Sequence, residues 1–191
     1  MAQGIILAGG YSSRIGQNKM SLIYQGMPLI HHAIQTMSPF VTEIFVITGH
    51  YHDELMQLLS GIKNIHLIYN ENYPYGMFSS VKKGAMHVYE DFFILPGDYP
   101  IVKPSTYEAL LNTSSPIAVP VYQGKRGHPI FLRKALIKPL IEEPLDSNLK
   151  IFRNRYEIQD ISVDDEGILI DIDTINDHEQ LIKRGVETYG N

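Results

Sequence analysis

The segment Leu7 to Lys19, LAGGYSSRIGQNK, sets two adjacent glycines, two serine hydroxyls, an arginine and a lysine directly after an apolar run. Gly9 and Gly10 carry no Cβ, so their backbone is free to take positive φ and to let a ligand approach its amides. Arg14 and Lys19 bring cationic donors to the same loop, a combination that suits a polyphosphate better than a neutral ligand. This is equipment for a nucleoside triphosphate. The loop has neither the GxGxxG order of a dinucleotide fold nor the GxxxxGK[ST] order of a P-loop, so neither fingerprint applies.

Further groups lie downstream. Asp98, in LPGDYP, follows an apolar run and sits between two prolines, where a carboxylate could hold Mg²⁺ together with phosphate oxygens and water, or bond its own turn. Asp171 and Asp173, in ILIDIDT, read as the end of a strand and so share a face. Asp173, nearest the strand end, is the better metal ligand, and Asp171 is expected to face solvent. NENYPYGMFSS brings Asn70, Gly76, Ser79 and Ser80 to the mouth of a helix, where amides and hydroxyls can face a base edge or a phosphate, or cap the helix. In GKRGHP, Arg126 and His128 could close over an anionic substrate, or belong to a solvated hairpin. His31, His32, His50 and His52 form no HExxH pattern and read as surface or helix-end residues. No Ser-His-Asp arrangement is legible from spacing, so nothing calls for a covalent nucleophile.

These groups need a frame to hold them. Runs of branched and aromatic residues at Gly4 to Ala8, Glu43 to Thr48, Ile65 to Tyr69, Phe92 to Leu95 and Ile117 to Val121 read as strands. Helical patterns lie between most of them, at Pro28 to Met37, Asp53 to Leu59, Phe78 to Tyr89 and Pro104 to Leu111. The alternation predicts an α/β fold, a three-layer α/β/α Rossmann-like arrangement with a mainly parallel sheet. Ligands bind beyond the carboxyl ends of such strands, where the glycine loop, Asn70 and the PGDYP turn fall. The second half is less regular. It predicts a strand at His128 to Leu132, helices at Ala135 to Ile141 and Asn148 to Arg155, a hairpin of Tyr156 to Val163 with Gly167 to Ile172 around an acidic turn, and a closing helix at Asn176 to Glu187.

With 191 residues, no internal repeat and no long linker, the chain is expected to form one domain over residues 1–191. A hydrophobic fraction of 44% with 19% charged residues is ordinary for a globular protein. A net charge of −5 argues against a nucleic-acid partner. No apolar run approaches a membrane span, and the N-terminus lacks a signal-like pattern. The absence of cysteine excludes disulfides and thiolate metal sites and fits a cytoplasmic enzyme.

Taken together these residues resemble the molybdopterin nucleotidyltransferase family, whose N-terminal pattern LAxGxSxRxGxxK is matched by Leu7, Ala8, Gly10, Ser12, Arg14, Gly16 and Lys19. The likeness continues through Asn70, GMFSS, Asp98, the GHP turn at Gly127 to Pro129 and Asp173. GHP narrows it to the cytidylyltransferase-like branch, which often serves xanthine dehydrogenase and related hydroxylases. The resemblance implies attack by the terminal phosphate of molybdopterin on the α-phosphate of CTP, with pyrophosphate leaving. Asp98 and Asp173 would hold Mg²⁺, Arg14 and Lys19 the triphosphate, and a molybdenum hydroxylase apoenzyme would be the downstream partner. Two departures stand out. The branch commonly has GDxGAR where this chain has DSNLK, Asp146 to Lys150, in the region expected to face the pterin. The branch also favours LAAG, whereas Gly9 gives the LAGG of guanylyl enzymes.

The leading expectation is therefore a Mg²⁺-dependent transfer of CMP to molybdopterin. Arg14, Lys19 and Asp98 would be catalytic, and Leu7, Ala8, Gly9, Gly10, Ser12, Asn70, Gly76, Ser79 and Ser80 would complete the nucleotide site. The alternatives are GTP as donor, a sugar phosphate as acceptor, or a non-catalytic carrier of molybdenum cofactor. A carrier has no use for a triphosphate loop.

Overall fold

The computed structural model describes residues 2–189, with side chains described through residue 185. In chain order the strands are β1 (Ala2–Ala8), β2 (Ile23–Tyr24), β3 (Met27–Pro28), β4 (Val41–Thr48), β5 (Ile65–Tyr69), β6 (Phe92–Pro96), β7 (Ile117–Tyr122), β8 (Lys125–Arg126), β9 (Ile130–Leu132) and β10 (Ile158–Ser162). The helices are α1 (Leu29–Met37), α2 (His52–Leu58), α3 (Met77–Ala85), α4 (Pro104–Leu111), α5 (Ile137–Glu142), α6 (Leu149–Arg153) and α7 (Ile175–Tyr189). An eight-stranded sheet runs in the order β10-β7-β9-β6-β1-β4-β5, with β8 paired to β7. Only β8 and β9 run antiparallel to their neighbours in it, so the expected mainly parallel α/β sheet is what forms.

Both faces of the sheet are covered, which is why β6, and β1 from Gly4 onward, read as unbroken apolar runs rather than alternating ones. Successive side chains leave opposite faces. Ile6 and Ala8 join one apolar layer with Phe93, Leu95 and residues of α1 and α4, while Ile5 and Leu7 join a second layer with Phe78, Ile94 and Phe152. Each fully buried side chain of this size is worth about 1.5–3 kcal/mol in transfer from water, so the central strands form a stiff floor. The glycine loop springs from the end of β1 in the middle of that floor.

The second half differs from expectation in one respect. Ile158–Ser162 is a strand, but it pairs parallel with β7, and Gly167 to Ile172 forms no second strand of a hairpin. The cause is Asp165, which is buried and accepts from Gly167 N at 2.9 Å, Lys103 N at 2.8 Å and the Thr106 hydroxyl at 2.6 Å. Its carboxylate turns the chain locally into a 3₁₀ segment, Glu166–Leu169, and ties that turn to the start of α4. The chain then crosses the strand ends instead of extending the sheet. Ile168 O accepts from His128 N at 3.0 Å and Ile172 N donates to Asp98 O at 3.1 Å. Thr174 and Asp177 close the crossing with a reciprocal cap at the start of α7 (Thr174 N to Asp177 Oδ2, 2.7 Å; Asp177 N to Thr174 Oγ1, 3.2 Å).

His32 also departs from the surface role expected of it. It is buried in α1, with Nε2 at 2.7 Å from Tyr24 O, and so anchors the small β2–β3 hairpin. Among the described residues no helix is long and apolar enough to cross a membrane.

Candidate active site

The loop after β1 is held from inside. Ser12 sits at φ 50° and its hydroxyl accepts from Lys19 N at 3.1 Å, so the loop closes on its own serine before Lys19 reaches inward. Gly9 and Gly10 do not adopt the positive φ expected of them; Ser12 and Gly16 do. What the two glycines provide is space. A Cβ on Gly10 would meet nothing within 4 Å, whereas one on Gly9 would lie 3.1 Å from the Ser80 hydroxyl.

Lys19 Nζ donates to Asp98 Oδ2 and, at 2.9 Å, to Asp173 Oδ1, while Arg14 pairs with Asp173 Oδ2 at 2.7 Å. Asp98 is only 7% exposed, and its second oxygen, Oδ1, is buried without a hydrogen-bond partner. Oxygens of Asp98, Asp171 and Asp173 lie within 4.8 Å of one another. Asp171 faces solvent, as expected, and one of its oxygens still belongs to the cluster, because the bond from Ile172 N to Asp98 O folds the crossing segment over the PGDYP turn. A partnerless buried carboxylate oxygen beside two further carboxylates is a donor set of the hard oxygen type that a divalent cation takes.

The charges set one another. Burial works against the Lys19 ammonium, yet Asp98 and Asp173 outweigh it and hold its pKa above the ordinary lysine value. Burial lifts the Asp98 carboxyl, opposed by Lys19. The hydrogen bond from Lys19, with Arg14 adding its charge, holds Asp173 low. The neighbouring Tyr99 phenol is pushed up by burial and by the three carboxylates.

Above this cluster opens a cavity of about 370 Å³, lined by Leu7, Gly9, Gly10, Lys19, Ser80 and Asp98, and also by Tyr11, Met20, Tyr73 and Met77, which the sequence did not single out. Ala8 is buried beneath it. Gly76 lines the cavity and stands at φ 95°, ψ 179° just before α3, a conformation open to glycine alone. Asn70 and Ser79 act behind the wall. Asn70 Nδ2 donates to Ser79 Oγ at 2.9 Å and Ser80 Oγ at 3.0 Å, and the Ser79 hydroxyl donates to Asn72 O and Gly76 O, both at 2.8 Å. Ser79 and Ser80 therefore do not cap α3, whose N-cap, Gly76, makes no side-chain bond. The asparagine orients Ser80, and Ser80 faces the cavity.

The two residues expected on the acceptor side part company. Arg126 turns away to a forked ion pair with Asp160 of β10, at 2.7 and 3.1 Å, because β8 lies flat along β7 as a paired strand. His128 lines a second cavity of about 320 Å³, which shares Met77 with the first and includes Lys150 and Arg153. Burial, and then the charge of Arg153, lowers the imidazole pKa to about 4, so His128 is neutral at pH 7.

A glycine loop, a lysine between carboxylates and a serine-lined cavity at the strand ends agree with what the chain is similar to. Residues 4–159 match the MobA-like NTP transferase domain. The chain belongs to this family. It is a nucleotidyltransferase. It is 29% identical over 175 residues to the molybdenum cofactor cytidylyltransferase of Escherichia coli, covering 91% of each chain. A Bacillus cereus protein described as a "probable molybdenum cofactor guanylyltransferase" is 28% identical over 131 residues, 64% of this chain and 63% of that one. Among solved structures, a nucleotidyl transferase from Methanothermobacter superposes with a TM-score of 0.85 over 98% of this chain and 99% of that one, at 18% identity.

Proposed function

We propose that the enzyme transfers CMP from CTP to the terminal phosphate of a molybdopterin acceptor and releases pyrophosphate. The observation that carries the reading is the placement of Lys19 between Asp98 and Asp173, with the free Asp98 oxygen below a loop shaped for phosphates. The acceptor phosphate oxygen forms a new bond to the α-phosphorus, and the bond from that phosphorus to the pyrophosphate oxygen breaks. Charge builds on the departing phosphates, and fixed cations in a water-poor site stabilise it. Lys19 and Arg14, held by carboxylates in this structure, exchange those partners for phosphate oxygens. Asp98 and Asp173 would hold Mg²⁺, with Asp171 close enough to join, and a bound cation of this kind would neutralise the triphosphate and orient its α-phosphate.

The base is read by Ser80. Its oxygen is oriented by Asn70, which leaves the hydroxyl to meet a base edge in the cavity. Buried polar groups that match one edge and strand another give the largest discrimination. GMFSS and the relative that spans 91% of both chains favour cytosine. Gly9 does not argue strongly for a purine, since a methyl there would press on Ser80 rather than fill open space.

The test is incubation with each nucleoside triphosphate, Mg²⁺ and molybdopterin, followed by pyrophosphate release. Release that requires molybdopterin and is fastest with CTP is the expected result. Release with a sugar phosphate and none with molybdopterin would refute the acceptor.

A further inference from the structure

A third cavity, of about 480 Å³, opens at the β5 edge of the sheet and shares only Tyr73 with the cavity proposed for the nucleotide. Its position follows from strand register. β4 and β5 run parallel with Thr48 opposite Tyr69, so the segment 49–54 that leaves β4 comes beside the Tyr69 ring, which is 47% exposed. Gly49 lets Tyr73 close in as well, since a Cβ at position 49 would lie 2.7 Å from the Tyr73 Cβ.

Aromatic and imidazole rings make up most of the wall. His50, Tyr51, His52, Tyr69 and Tyr73 line the cavity, and their rings follow one another in a single series. The centroids are 4.7 Å apart for Tyr51 and His50, 6.3 Å for His50 and Tyr73, 6.5 Å for Tyr73 and Tyr69, and 5.2 Å for Tyr69 and His52. The other lining side chains are Asp53 and Glu54, both exposed, and neither is held in an ion pair among the described residues. No lysine or arginine lines this cavity.

This chemistry selects a cation. The face of an aromatic ring is electron-rich and attracts a positive charge, most of all one spread over an apolar body that gives up its water readily. Two carboxylates beside the rings add the counter-charge. A metal ion is the poorer match, because among the described residues the acidic cluster close enough to hold one is Asp98, Asp171 and Asp173.

We propose that the cavity binds a small organic cation of the quaternary ammonium class, its methyl groups against the rings of Tyr69 and Tyr73 and its charge balanced by Asp53 and Glu54. The ligand is a free cation. A choline lipid carries a phosphate beside its ammonium, and the cavity has no lysine or arginine to receive one.

The probe is choline, titrated calorimetrically into the whole protein and compared with its neutral isostere, in which a quaternary carbon replaces the nitrogen. Wild type is expected to bind choline saturably and the isostere much more weakly, since the shapes match and only the charge differs. Tyr69→Ala should weaken choline binding by about threefold to thirtyfold, and Tyr69→Phe by less than about twofold, because the ring face and not the hydroxyl makes the contact. Asp53→Asn combined with Glu54→Gln should cost about threefold to tenfold. Saturating CTP should leave choline affinity within about twofold. The proposal is overturned if choline does not bind, if the isostere binds as well, if Tyr69→Ala or the double carboxylate variant binds choline as tightly as wild type, or if Tyr69→Phe loses as much as Tyr69→Ala. Displacement of choline by CTP would give the cavity to the nucleotide and overturn it too. Co-sedimentation with phosphatidylcholine vesicles that is lost in Tyr69→Ala would make the ligand a lipid head group and overturn the free cation.

Discussion

The two cavities that meet at Met77 solve the problem of buried charge in opposite ways. On the side proposed for the nucleotide Arg14 and Lys19 already hold carboxylates, so both cations are paired until phosphates arrive. Beyond Met77, Arg153 feels Asp160 without forming an ion pair to it, and His128 is kept neutral. The first arrangement keeps a cationic loop in place without ligand and suits a charged complex that brings its own counter-ion. The second leaves the Arg153 Nε and the His128 Nδ1 without hydrogen-bond partners. A buried charge is costly unless paired, so the side that stays closed is the side where the whole cluster must act together, and it should also be the more fragile.

Breaking the closed side therefore gives the largest effect. Asp98→Asn keeps the shape and removes the charge, and kcat should fall about a hundredfold to a thousandfold, as when one preorganised electrostatic contact is lost. Steady-state kinetics on the folded variant checks this. Next in size is a stability effect across Met77. Folded His128 titrates at about 4 against 6.5 for a free imidazole, so the unfolded chain takes a proton that the folded chain refuses. Its contribution is intact above pH 6.5 and is lost as the pH falls toward 4, amounting to ~3 kcal/mol. Denaturant unfolding at pH 7.5 and pH 4.5 should show that loss in wild type and a much smaller one in His128→Gln. Lys19→Ala should cost about tenfold to a hundredfold in kcat/KM for CTP, since it removes a charged partner of both the triphosphate and the leaving pyrophosphate. Asp171→Asn sharpens the comparison, because its carboxylate joins the cluster without pairing to a cation: a drop of about tenfold, relieved by raising the Mg²⁺ concentration, is expected. Gly9→Ala is the smallest. It should raise the preference for CTP over GTP by less than the roughly tenfold that a methylene in a pocket is typically worth, because the 3.1 Å contact with Ser80 needs only a small shift.

The sheet was legible in the sequence because its strands are buried on both faces, and a continuous apolar run such as Phe92 to Pro96 leaves little else to form. Asp98 was legible for a related reason: it sits just past β6, whose end the pattern marks, whereas Lys19 was marked by the spacing of its glycine loop and Asp173 by an ending expected of a strand that does not form. Asp171 and Arg153 were not. The crossing of Asp171 over Asp98 depends on Asp165 binding the start of α4, a contact 62 residues apart in the chain. Arg126 and Arg153 look alike as sequence, and only the pairing of β10 with β7 gives Arg126 a direct ion pair with Asp160 and leaves Arg153, which feels the same carboxylate without pairing to it, lining a cavity. Local pattern specifies where a charge emerges, and tertiary pairing decides whether it is already satisfied.

The central claim is that this nucleotide cavity, with Ser80 reading the base, delivers CMP to a molybdopterin acceptor. A single incubation of the enzyme with molybdopterin, Mg²⁺ and equal concentrations of CTP and GTP, with the product weighed by mass spectrometry, tests it most directly. The account predicts a predominant CMP adduct of molybdopterin. A predominant GMP adduct, or no adduct from an enzyme that is folded and binds both nucleotides, would contradict it.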